Sequence, residues 1–123
     1  MKRSILLIIM TFALLLCGCG KIEYEASEIR LVKYYDILIK DDYDETEISE
    51  IVAFFNKLDW KDGRTRTAFD YTITFSEEQI FYYSLSQRIL NDKLNKRHVK
   101  LIDKEVERLN ELLGIPVDEA VTE

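Results

Sequence analysis

Hydrophobic residues fall into three kinds of pattern along this chain: one unbroken run, several alternating stretches and two helical stripes. The run is Ile5 to Leu16, uncharged and almost wholly apolar. Over 28–40, Ile29, Leu31, Tyr35, Ile37 and Ile39 recur at period two, which predicts a half-buried strand. Lys33 and Tyr34-Tyr35 interrupt it, leaving one long bent strand or two short ones in a hairpin turning near Tyr34. Ile48, Ile51, Val52, Phe55 and Leu58 then follow helical spacing, behind an acidic start in which Asp44 and Glu47 have capping-box spacing. Asp62-Gly63 is a turn signal.

The second half alternates again. Phe69, Tyr71, Ile73 and Phe75 interleave with Asp70, Thr72 and Thr74, a strong strand pattern. Ser76 to Gln79 is a hairpin turn, and Ile80 to Leu85 a further strand with Phe81, Tyr83 and Leu85 on one face. Arg88–Leu90 and Arg97–Leu101 read as two more short strands around polar Asn91 to Lys96. Asp103 can cap a last helix striped by Val106, Leu109, Leu112 and Leu113, stopped by Gly114 and Pro116. The fold class is α+β. Adjacent strands imply an antiparallel sheet of four to six strands, with both one-faced helices packed on one side.

Composition bounds this picture. The 123 residues allow one domain, and 47% hydrophobic with 33% charged residues is ordinary globular usage. Setting Lys2 and Arg3 aside leaves 15 basic against 23 acidic residues. That balance argues against nucleic acid as partner and against electrostatic docking to anionic lipid. The only cysteines, Cys17 and Cys19, precede the globular part, so neither a disulfide framework nor a thiolate metal site is available there.

Met1-Lys2-Arg3 is a short positive segment before the apolar run. Twelve residues span roughly 18 Å as a helix, against about 30 Å of bilayer hydrocarbon, so the run suits a signal peptide better than a membrane span. Leu16-Cys17-Gly18-Cys19 then resembles the lipobox of bacterial lipoproteins. The resemblance implies diacylglycerol on the Cys19 thiol, cleavage after Gly18, and membrane lipid as a partner. The expected organisation is a leader over 1–18, lipidated Cys19 and a polar tether over 19–27, a globular domain over 28–114 and an acidic tail over 115–123. The whole pattern is similar to small Gram-positive lipoproteins without an assigned activity, so no functional residue beyond Cys19 carries over. The expected location is the extracytoplasmic face of the cell membrane.

No catalytic constellation stands out. His98 is the only histidine. With Ser84 or Ser86 as nucleophile and Asp103 as orienter it could form a triad, but no nucleophile-elbow context surrounds either serine. Asp36, Asp41, Asp42, Asp44, Glu45 and Glu47 lack the order and the bending glycine of a calcium loop; acids at a helix start account for them. No metal or other cofactor is implied. The aromatics offer more. If Phe81 and Tyr83 face the helices, Tyr82 faces outward, and with Trp60 and Tyr34 it forms a candidate binding surface. Its alternative is cross-strand packing. The leading expectation is a non-enzymatic binding module at the cell envelope, taking a protein or glycan. The alternatives are an inhibitor- or immunity-like accessory protein and, at low weight, a hydrolase.

Overall fold

The computed structural model describes residues 22–34, 36–66 and 68–115. Residues 1–21, which hold the expected leader and Cys19, lie outside the described residues, as do Tyr35, Thr67 and the expected tail from 116 onward. The chain forms β1 (Arg30–Lys33), β2 (Ile37–Lys40), α1 (Glu45–Lys57), β3 (Lys61–Asp62), β4 (Tyr71–Thr74), β5 (Ile80–Ser84), β6 (Ile89–Asp92), β7 (Arg97–Lys100) and α2 (Asp103–Leu113). The class is α+β as expected. The sheet has seven antiparallel strands in the order β2-β1-β4-β5-β6-β7-β3, more than the four to six expected. The hairpin at Tyr34 divides the first stretch in two, with Tyr34 at φ 58° in the turn. The additional β3 is two residues long, too short to show any alternation.

Register explains which side of each strand is buried. Leu31, Ile73 and Phe81 stand opposite one another, and so do Tyr71, Tyr83, Leu90 and Val99. All of them enter one cluster with Ile51 and Phe55 of α1 and Leu109 and Leu113 of α2. Ring contact of Phe55 with Phe81 (4.6 Å) and a bond from Tyr83 Oη to Asn110 Oδ1 (2.8 Å) put both helices on that face. The core is the layer between.

Local chemistry sets the helix ends. Asp44 Oδ1 accepts from the Glu47 N–H at 2.8 Å and Glu47 Oε1 accepts from the Asp44 N–H at 2.9 Å, a complete capping box. At α2 the capping residue is Ile102 instead of Asp103. Its side chain cannot accept a hydrogen bond, so only the reverse half exists, Glu105 Oε1 taking the Ile102 N–H at 2.9 Å. Asp103 instead binds Arg88 at 2.6 Å. Gly114, at φ 81°, ends α2 as expected, and its N–H reaches Asn110 O. Ile115 behind it is buried against the core.

Three tyrosines hold these layers together through their hydroxyls. Tyr83 binds Asn110, Tyr43 donates to Leu113 O at 2.6 Å, and Tyr24 donates to Asp92 Oδ2 at 2.5 Å. Burial is the main force raising each phenol above its ordinary value of 10.0; neighbouring carboxylates add to it, Asp92 for Tyr24, Glu47 and Asp42 for Tyr43, Asp70 for Tyr83. The fold therefore favours the neutral phenols. Stability should be full below pH 10 and fall as pH rises beyond it, because the unfolded chain ionises first. A phenolate absorbance titration should show these three ionising together with loss of far-UV dichroism. Three independent titrations near the ordinary value with the fold intact would contradict this.

Candidate functional site

Two regions bring unusual chemistry together. The first is a polar cluster on the buried face of the sheet. Asp92 ends β6 and Arg97 opens β7, and the turn between them makes the two directly opposed partners. Both share strand parity with buried Leu90 and Val99, so both point toward the helices. Asp92 is fully buried, and Arg97 has 15% of its side chain exposed. The Asp92 carboxylate accepts from Tyr24 Oη, from Gln79 Nε2 at 2.7 Å, and from the backbone and side-chain nitrogens of Asn95 at 3.1 and 2.8 Å.

Arg97 reaches Asp92 through a tyrosine. Its Nη2 donates to Tyr24 Oη, whose own proton goes to Asp92. The guanidinium lies over the rings of Tyr24 and Trp60, 5.2 Å from each centroid. Its Nε stands 3.9 Å from Asp92 Oδ2 without a hydrogen-bond partner among the described residues. Tyr24 is 4% exposed and packs edge-on against Phe55, Phe75 and Phe81. Its backbone is clasped by Asn56, which accepts from its N–H at 2.7 Å and donates to its carbonyl at 3.1 Å.

Tyr24 lies in the stretch expected to be tether. There it is buried, and its phenol stands between the Asp92 carboxylate and the Arg97 guanidinium. The cluster joins chain positions far apart around a fully buried carboxylate. It is chemistry suited to fixing the N-terminal segment.

The second region is the sheet face away from the helices. Leu38, Val32, Thr72, Tyr82, Asn91, His98 and Lys61 form one cross-strand row over all seven strands. The connection from β3 to β4, residues 63–70, must pass from the sheet's edge to its middle, and it straps across this row. His98 Nδ1 and Gly63 O are 2.6 Å apart, Thr65 exchanges hydrogen bonds with the Asn91 side chain, and Phe69 stacks on Tyr82 at 4.5 Å.

The three aromatic candidates do not form one surface. Tyr82 is half-buried beneath Phe69. Trp60 is on the opposite side, in ring contact with Tyr24 and Phe81, its Nε1 donating to Phe55 O at 2.8 Å. It is half-buried and packs against the core cluster. Tyr34 is 48% exposed at the β1–β2 turn, beside Ile37 and Leu38 at 50% and 46%. Its carbonyl accepts from Thr72 Oγ1 at 3.0 Å, so it neighbours the Tyr82 row.

The triad candidates are also dispersed. His98 engages Gly63, Asp103 engages Arg88, and Ser84 Oγ faces Ser86 Oγ at 3.5 Å. Among the described residues no group of three or more His, Cys, Asp or Glu side chains could hold a metal ion. A groove of about 400 Å³ lies between residues 24–27 and α1, and one of about 320 Å³ beside Ile29 and Phe75; neither is lined by histidine or cysteine. No described helix is long and apolar enough to cross a membrane. Comparison with protein-family models, with curated proteins and with solved structures finds no match for this chain.

Proposed function

We propose that the chain is a lipid-anchored extracytoplasmic protein whose small domain binds a partner at the cell envelope without catalysing a reaction. The observation that carries this is the distance in sequence between Cys19, in the lipobox-like Leu16-Cys17-Gly18-Cys19, and Tyr24, which is locked into the core. Five residues reach at most about 18 Å. A diacylglycerol on Cys19 would hold the domain against the bilayer instead of letting it range on a stalk. Two acyl chains make such attachment durable, since each buried CH₂ is worth about 0.8 kcal/mol.

The partner-facing surface in this reading is the β1–β2 hairpin. Tyr34, Ile37 and Leu38 are large apolar side chains left exposed at the sheet edge farthest from β3. An exposed aromatic with flanking aliphatics is suited to anchoring in a partner's pocket.

Intact mass and metabolic labelling with a palmitate analogue test the anchor. The wild-type chain should lose residues 1–18 and carry lipid on Cys19, and Cys19→Ala should carry none. An intact Met1 terminus with both thiols free would refute the anchor. Used as baits on envelope extracts, the acylated chain should retain a partner that Leu38→Asp loses; equal capture would remove the hairpin from the proposal.

A further inference from the structure

The acidic balance of the whole chain conceals a segregated surface. Six acids crowd residues 41–50, around the start of α1. The opposite edge of the sheet is cationic. Val99 points into the core, so His98 and Lys100 face away from the helices, and Lys61 stands opposite His98. The strap adds exposed Arg64 and Arg66 on that same side, and Lys96 in the β6–β7 turn is tied to its start by the bond from the Gly63 N–H to Lys96 O at 2.8 Å. Lys61 pairs with Asp59 at 3.0 Å; Arg64, Arg66, Lys96 and Lys100 form no ion pair among the described residues. Of the acids nearby in sequence, Asp70 accepts from the Leu85 N–H at 2.7 Å and Asp103 pairs with Arg88, which leaves Asp62 beside these cations.

The N-terminal segment packs close to this edge from the helix side: its backbone at Tyr24 is held by Asn56 of α1, and Tyr24 Oη reaches Asp92 and Arg97, the two residues that flank the turn bearing Lys96. We infer that the edge formed by β3, β7 and the strap docks on anionic lipid headgroups, turning the acidic start of α1 and the β1–β2 hairpin away from the bilayer. The inference rests on the lipid-anchor reading, which supplies the short leash. Headgroup phosphates are favoured over nucleic acid because, in that reading, five residues between Cys19 and Tyr24 keep this edge within about 18 Å of the bilayer. Each lysine or arginine near an anionic surface strengthens binding by about fivefold, and the attraction fades beyond a Debye length of about 10 Å at moderate salt. The acidic end therefore need not oppose it. The overall acidity expected to exclude such docking is outweighed locally by charge placement.

The test uses the processed full chain in phosphatidylcholine vesicles with and without phosphatidylglycerol. An environment-sensitive fluorophore is placed on Lys93→Cys at this edge, or on Leu38→Cys at the far edge. With phosphatidylglycerol the label at 93 should report an apolar setting that salt reverses, and the label at 38 should not. Arg64→Glu/Arg66→Glu/Lys100→Glu should reduce the response at least about tenfold and the triple Gln variant less, both with unchanged melting. Equal signals on the two vesicle types, or the same signal at 38, would overturn the docking. Displacement from the vesicles by an oligonucleotide at equal phosphate would overturn lipid as the ligand. Intact mass reads the anchor separately: acylated chain without phosphatidylglycerol dependence sinks only the docking, and unacylated chain with it sinks only the anchor.

Discussion

Asp92→Ala should destabilise the domain by about 3–5 kcal/mol, a large share of the roughly 5–15 kcal/mol that holds a domain of this size. The carboxylate is fully buried and accepts four hydrogen bonds, so its removal strands the Tyr24 hydroxyl proton, Gln79 Nε2 and the Asn95 backbone N–H, while Asn95 Nδ2 keeps its bond to Gln79 Oε1. It also leaves the mostly buried Arg97 guanidinium without its counter-charge, and an unpaired buried charge is the larger part of the cost. Denaturant unfolding measures the total. Arg97→Met in the Asp92→Ala background should recover part of the loss, because it removes the stranded charge while keeping apolar volume against Trp60. Additive effects of the two substitutions would mean that the pair is not energetically coupled. Limited proteolysis after Glu23 or Glu25 supplies the local readout: Tyr24 should be released in Asp92→Ala before the sheet unfolds.

How much of this could be seen in the sequence depends on how strongly each feature repeats. Tyr71 to Thr74 and Ile80 to Ser84 alternate over enough residues to settle their faces, and the helical spacing from Ile48 to Leu58 does the same for α1. Lys61–Asp62 has no period to read, which is why the sheet gained a strand. Asp92 and Arg97 look like part of a polar turn in isolation. Their parity with Leu90 and Val99 was the available signal: residues 90 and 92 share a face, as do 97 and 99, so a hairpin between them must bury a salt pair. Composition gave the opposite impression, since acids and bases beside asparagines suggest solvent. Trp60 was beyond any periodic argument, because it follows the end of α1 in a connection whose path is set by tertiary packing. The strap over Tyr82 was hidden for the same reason: its course follows from strand order, which alternation does not encode. The charge asymmetry, by contrast, lay in plain view but acquires meaning only when β3, β7 and the strap come to share one edge.

Phe55→Ala should cost a comparable amount, about 3–5 kcal/mol, for a different reason. Phe55 is fully buried, and its ring meets Phe81 at 4.6 Å, Phe75 at 4.9 Å, Trp60 at 6.4 Å and Tyr24 at 6.5 Å. No charge is stranded by its loss. The cost comes from the transfer of the ring and from the cavity left among four aromatics, which cannot collapse without moving β5, the Trp60 connection and the N-terminal segment together. Phe54 is the control. Its ring meets Phe55 from a half-buried position on the same helix, so Phe54→Ala should cost well under half as much. Phe55→Leu should restore part of the stability by refilling volume. Were Phe55→Ala and Phe54→Ala to unfold at similar denaturant concentrations, the aromatic cluster would not be the centre of this core. If Phe55→Ala does weaken the fold as expected, its Tyr24 should become accessible to protease along with the cavity. That would link the packing between sheet and helices directly to the grip on the segment leading to Cys19.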